Sequence, residues 1–317
     1  DNGSAVKEVL NVGKFEVDAD GTVTFTPDKQ FKGETPELEL TRTDANGTPI
    51  TVKYKAVVKE VIPTVTNATS TGPQGIAQTG TPTFAGGDPL VPIDETVEPS
   101  FEDGSKEKTI PGQGTYTITP DGAVTFTPDK QFVGKPDSVT VKRVDKNGTP
   151  VTATYSPEFA KVTPTGKDAT STNIKGHVQT GKPVFESGNP LVPIDETIAP
   201  TFEDGSKEKT IPGEGTYTIT SDGTVTFTPE ADFLGQGSGV TLVRRDKNGT
   251  SVTARYVPTV VEPSTSQDSI SSGRKGQAQT GTPTFEGAID HAVAPTFADG
   301  STEMVVPGEG TYRFNML

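Results

Sequence analysis

The chain has 317 residues, with no cysteine or tryptophan, 2 methionines, 2 histidines, 35 glycines, 27 prolines and a formal net charge of −14. That charge excludes nucleic acid as a partner, because a phosphate-tracking surface needs clustered Lys and Arg. An apolar fraction of 30% is too low for one large core, so several small cores in a row fit better. No disulfide can form, which sets the chain apart from the disulfide-stapled small modules of animal secreted proteins. No stretch carries a sustained 3.6-residue apolar period or an apolar run long enough to span a bilayer, so the expected fold is all-β, with no membrane contact in this segment.

From the amino end, the first recurring string is Asp44-Ala45-Asn46-Gly47-Thr48. It returns as Asp145-Lys146-Asn147-Gly148-Thr149 and as Asp246-Lys247-Asn248-Gly249-Thr250, 101 positions later each time. Gly3-Ser4, Gly104-Ser105 and Gly205-Ser206 keep the same step, whereas Gly300-Ser301 follows after only 95. Periodicity of this kind means tandem copies of one structural unit. Residues 1–64 read as the C-terminal part of a repeat, 65–165 and 166–265 as complete repeats, and 266–317 as an atypical N-terminal part. The last copy lacks most of the segment Asn189-Pro190-Leu191-Val192-Pro193-Ile194-Asp195-Glu196-Thr197 and ends on the divergent Arg313-Phe314-Asn315-Met316-Leu317. It is expected to be poorly formed, because it stops before its hairpin closes.

Within the first complete repeat, Thr115–Thr119 alternates polar and apolar residues with period two, as a half-buried strand does. Pro120-Asp121-Gly122 supplies a turn, and Val124–Thr127 alternates again, so a hairpin is predicted with Tyr116, Ile118, Val124 and Phe126 facing the core. Phe132 is placed to plug the end of that core. Ser138–Val144 and Val151–Tyr155 flank Asn147-Gly148, the strongest short-range hairpin signal. The segment from Phe159 to Gly166 reads as a Pro- and Thr-rich extended linker, as does Val260–Thr265. Pro183-Val184-Phe185 and Lys207–Ile211 are further strands. Six or seven strands per repeat predict tandem immunoglobulin-like antiparallel β-sandwiches without the Cys-Trp-Cys signature, strung end to end with neighbouring repeats as partners.

Repetition tests each candidate site within the one chain. His177 and His291 occupy non-equivalent positions, and Ile76 stands where the next copy has His177. A histidine-based catalytic triad therefore cannot be a repeat property, and no enzyme is expected. Gly112-Gln113-Gly114 precedes a strand rather than a helix, so it reads as a tight turn and not a dinucleotide loop. Asn46, Asn147 and Asn248 each open an Asn-Gly-Thr sequon, and with Gly47, Gly148 and Gly249 they read as structural turns. Asp145 and Asn147, with Asp246 and Asn248, are the oxygen donors that calcium would use, supplemented by Asp94-Glu95 and Asp195-Glu196. Ordinary turn chemistry explains the same residues without a cofactor. Lys7, Lys108 and Lys209 recur, as an intramolecular Lys–Asn isopeptide bond would need, but Met304 replaces them in the last copy and the local pattern is polar. Lys142 lies in a strand, and its counterparts are Thr41 and Val243. Arg42, Arg143 and Arg244 stand two residues before Asp44, Asp145 and Asp246, the spacing of a surface ion pair on one strand face.

The order Pro193-Ile194-Asp195-Glu196-Thr197, Phe202-Glu203-Asp204-Gly205-Ser206, Gly213-Glu214-Gly215-Thr216-Tyr217-Thr218-Ile219 and Asp222-Gly223-Thr224-Val225-Thr226-Phe227-Thr228-Pro229 resembles the CshA-type fibril repeat of streptococcal surface adhesins. The likeness covers essentially the whole chain. It implies an extracellular, cell-wall-anchored fibril in which the repeats form a stalk. Binding of host extracellular matrix protein, including fibronectin, would then belong to a non-repetitive N-terminal region outside this sequence. An alternative expectation is that the repeats themselves bind a host glycoprotein or a partner bacterium. Aromatic residues exposed on one face of each copy would favour it.

Overall fold

The computed structural model describes residues 5–287 and 289–314. Every regular element among them is a strand, which suits a chain rich in threonine and valine and punctuated by glycine and proline. They form two compact units. One holds the residues up to Thr163 with Ser187–Pro193 and Lys247–Thr250; the other holds Pro164–Glu186, Ile194–Asp246 and the residues from Ser251 onward.

In the first complete repeat, Gln78–Gly80, Val124–Pro128, Gly114–Ile118 and Glu107–Ile110 form one antiparallel sheet in that order. Ser100–Phe101, Val139–Val144, Pro150–Ala160 and Ala68–Pro73 form the second. Strand alternation sends every second side chain inward, so Tyr116, Ile118, Val124 and Phe126 meet Phe101, Val139, Val141, Tyr155 and Phe159 in one core. Tyr116 and Phe126 are cross-strand partners with ring centroids 4.4 Å apart. Phe132 packs against this core from its rim. The second complete repeat builds the same core 101 positions on, with Leu242 for Val141 and Val260 for Phe159. The fold is the expected all-β sandwich.

Three details differ from the sequence reading. Ten strand segments run from Thr64–Thr66 to Pro150–Ala160 rather than six or seven, because the additional ones are too short to show a period. One pairing is parallel: Ala68–Pro73 lies beside the stretch from Tyr155 to Ala160, and Ala169–Ile174 lies beside the stretch from Tyr256 to Val261. Finally, Phe159 and Val260 are not in linkers. They are buried near the end of the closing strands Pro150–Ala160 and Ser251–Val261, and Val162 is buried just beyond. The inward alternation Ala153, Tyr155, Pro157, Phe159 continues through the proline. Tyr155 pairs with Val139 and Phe159 pairs with Gly134 across one edge of the strand. Pro157 falls between those two partners, where no ladder bond is lost to its missing N–H.

The outer copies are smaller. Val6–Val9, Gly13–Val17 and Val23–Pro27 form a sheet, and Leu38–Thr43 pairs with Pro49–Tyr54. Phe15 is buried there, stacked on Phe25 at 4.5 Å and edge-on to Tyr54. In the last copy, Glu303–Val306 pairs with Gly310–Arg313, but no described residue beyond Val261 is buried. The expected Gly3-Ser4 counterpart and the divergent Asn315-Met316-Leu317 lie outside the described residues.

Candidate functional site

Two constellations recur in both complete repeats. The first is the Asn-Gly turn. In the first complete repeat, Asp145 is 1% exposed. Its Oδ1 accepts the backbone N–H of Asn147 at 2.9 Å and of Thr149 at 2.8 Å. Gly148 completes the turn by donating to Asp145 O, at a φ of 83° that glycine alone adopts without strain. Gly249 has φ 86°, as does Gly47, and Asp44 Oδ1 likewise accepts the N–H of Asn46 and Thr48. The turn is stitched to the upstream loop: Lys146 N donates to Pro92 O and Asp94 N donates to Val144 O. Asp246 is equally buried, with Lys247 N donating to Pro193 O. Asn248 is buried, and its Nδ2 donates to Gln74 O at 2.9 Å.

Charges frame the turn differently from the sequence reading. Arg143 reaches Glu95 at 2.6 Å and Arg244 reaches Glu196 at 2.6 Å. Asp145 does not pair with its neighbour's guanidinium, which goes to Glu95, while Asp145 Oδ1 accepts the turn amides. Arg42 instead donates to Ala19 O. Arg244 is buried rather than at the surface, 6.0 Å from the centre of the Phe185 ring. Lys146 and the Thr96 hydroxyl bond to Asp94 and hold its carboxyl at about 2. Among the described residues, no group of three or more His, Cys, Asp or Glu side chains stands placed to hold a metal ion. The recurrent lysines Lys7, Lys108 and Lys209 are exposed, as is Lys142, so the burial that an isopeptide bond requires is missing. His177 and His291 are exposed and stand at unrelated points of the repeat. Gly112-Gln113-Gly114 leads into the strand Gly114–Ile118.

The second constellation escaped sequence reading. Tyr155 is fully buried in the closing strand, and its hydroxyl bonds Ser70 Oγ on the parallel strand at 2.7 Å. A Cβ on Gly80 would stand 2.3 Å from the Tyr155 ring, so glycine makes the room for it. Gln78, from the other sheet, donates Nε2 to Glu158 O at 2.9 Å. In the second repeat Tyr256 OH likewise bonds Ser171 Oγ at 2.6 Å and Gln179 Nε2 donates to Thr259 O at 2.9 Å, and here Ser171 Oγ also donates to Gln179 Oε1 at 2.6 Å, a bond that Ser70 and Gln78 do not make. Burial pushes both Tyr155 and Tyr256 up from the usual phenol range. The one available signal was the recurrence of Ala-Thr-Ser-Thr and Gln-Thr-Gly at the repeat step, which alternation scoring discounts because those strings are polar.

Tandem cysteine-free β-sandwiches that reproduce cores and turns define a tandem-repeat β protein. The chain belongs to the surface adhesin CshA repetitive-domain family, whose family model matches residues 1–58, 60–159 and 161–260. It is therefore repeat sequence of a cell-surface adhesin. It is 94% identical to an NMR structure of repeat domain 13 of the fibrillar adhesin CshA from Streptococcus gordonii, over 22% of this chain and 90% of that one, at a TM-score of 0.15. Mouse cadherin-23 EC22-24 matches at 12% identity over 82% of this chain and 86% of that chain, with TM-score 0.31. The N-terminal eight Ig domains of Down syndrome cell adhesion molecule match at 16% identity over 86% and 39%, with TM-score 0.26. No curated protein matches the chain.

Proposed function

We propose that this chain is a stalk segment of a wall-anchored surface fibril, in which each complete repeat is a preformed bead holding an adhesive region away from the cell. The observation that carries the reading is the identity of what recurs. Both complete repeats keep the same nine core positions and the same Tyr–Ser bond, while the histidines do not recur. The reading needs no catalytic residue and no calcium, since the Asp145 turn is held by its own backbone amides. The large exposed aromatics, Phe285 and Tyr312, both lie in the last copy, so the aromatic faces that a binding repeat would offer are not a feature of the complete ones. Small-angle scattering of the chain tests the stalk: an extended profile supports it and a compact one defeats it.

A second reading, in which the repeats bind a partner, draws on Leu90 and Leu191. These equivalent leucines are 90% and 63% exposed on the loop before each turn. If that reading holds, repeat-only protein should adhere and replacing both leucines with serine should abolish adhesion; if the repeats are spacers, repeat-only protein should not adhere at all.

A further inference from the structure

A stalk is loaded along its chain, so the path of force through each bead matters. After the short strand Thr64–Thr66, which pairs with Thr83–Ala85, the chain enters the two main sheets through an opening strand, Ala68–Pro73, and leaves through the closing strand, Pro150–Ala160. These two strands pair directly and in parallel over six register positions, from Tyr155↔Ala68 to Ala160↔Pro73. Tension pulls the opening strand toward its start and the closing strand toward its end. In a parallel pair those directions are opposite along one axis, so the ladder is loaded in shear. All its bonds share the load, whereas an antiparallel hairpin pulled from its open end yields one bond at a time. The second repeat repeats the arrangement over six positions, Tyr256↔Ala169 to Val261↔Ile174.

The ladder is reinforced at its ends and flank. Asn67 Oδ1 accepts the N–H of Thr154 at one end, and Gln74 N donates to Ala160 O at the other. Asp168 with Arg255 and Lys175 with Val261 do the same in the next copy. Ser70–Tyr155 ties the opening strand to the closing strand through side chains, and Gln78 ties the closing strand to the opposite sheet. On its other edge the closing strand is held by Gly134, which exchanges two backbone bonds with Phe159 at 2.8 and 2.9 Å.

We propose that each complete repeat is a load-bearing element whose mechanical clamp is this parallel ladder, locked by Tyr155, Ser70 and Gln78 in one copy and by Tyr256, Ser171 and Gln179 in the other. The proposal rests on the stalk reading for its biological setting but has its own test. The chain is free of cysteine, so introduced cysteines give unique handles for single-molecule force spectroscopy on the full chain. Pulled by its ends, the chain should show two high-force events, each releasing about 300 Å of contour, as the stretch from opening to closing strand dictates at roughly 3.5 Å per residue. Pulled through Ser138→Cys and Ser156→Cys, which sit at the open end of the Val139–Val144 hairpin, the first complete repeat should yield at a several-fold lower force. Tyr155→Phe with Tyr256→Phe keeps the rings and removes the hydroxyls. It should lower the end-to-end force of both events and leave the Ser138/Ser156 force unchanged. Equal forces in the two geometries, or a tyrosine effect of the same size in both, would overturn the clamp. An extended scattering profile with equal forces sinks the clamp alone; a compact profile with unequal forces sinks the stalk alone.

Discussion

At the scale of single residues, buried polar groups contribute more than exposed ion pairs do. Asp145 is an acceptor for two turn amides in a position closed to water. Asp145→Ala leaves those donors without their partner and should cost about 1–3 kcal/mol, read as a lower denaturant midpoint for one of the two complete repeats. The exposed carboxylates of the ion pairs should matter less, because surface pairs contribute about 0–1 kcal/mol. The tyrosines set the response to alkali. Burial raises Tyr116, Tyr155 and Tyr256, and it pushes Tyr217 up to about 12. A phenol whose folded pKa exceeds its unfolded value contributes stability that is complete below about pH 10 and is lost as pH rises through the folded pKa. For Tyr217 that window runs from about pH 10 to 12. Denaturation midpoints should be flat between pH 7 and 9 and fall between pH 10 and 12. A flat profile to pH 12 would contradict the buried hydroxyls.

At the scale of elements, the central hairpin was legible and the opening strand was not. Tyr116, Ile118, Val124 and Phe126 alternate with threonines around a Pro-Asp-Gly turn, and they occupy the predicted face. Ala68–Pro73 contains only Ala, Thr, Ser, Gly and Pro. Its place is set by backbone bonding to a partner more than eighty positions away and by the Ser70 hydroxyl, neither of which leaves an apolar period. The end of the closing strand was hidden for another reason. The Pro- and Thr-rich composition from Phe159 and from Val260 onward pointed to linkers, yet both residues lie inside their closing strands, and Pro157 and Pro258 sit where each strand exchanges one partner for the next. Of the candidate sites, the Asn-Gly turns could be read from type and spacing, whereas the Arg143–Glu95 pair could not, because it joins a strand residue to a loop residue 48 positions away. The revised strand end is testable. Phe159→Ala should destabilise its repeat by about 3–5 kcal/mol; a linker residue would tolerate the change, and equilibrium unfolding separates the two outcomes.

At the scale of the whole molecule, the sequence describes a protein that repeats its architecture and little else. Two equivalent cores, differing at two of nine positions, recur at a fixed step, the chain carries a charge of −14, and the described part of the last copy has no buried residue. If backbone amides rather than calcium hold the Asp145 and Asp246 turns, adding a chelator should leave the thermal midpoint of the chain unchanged; a fall of several degrees would restore a metal to the account. The central claim, that these beads act as a spacer, is tested most directly by small-angle X-ray scattering of the full chain. A compact 317-residue protein would have a radius of gyration of about 20 Å. The stalk predicts a value well above that, with the long-tailed distance distribution of a rod. A value near 20 Å with a symmetric distribution would contradict it.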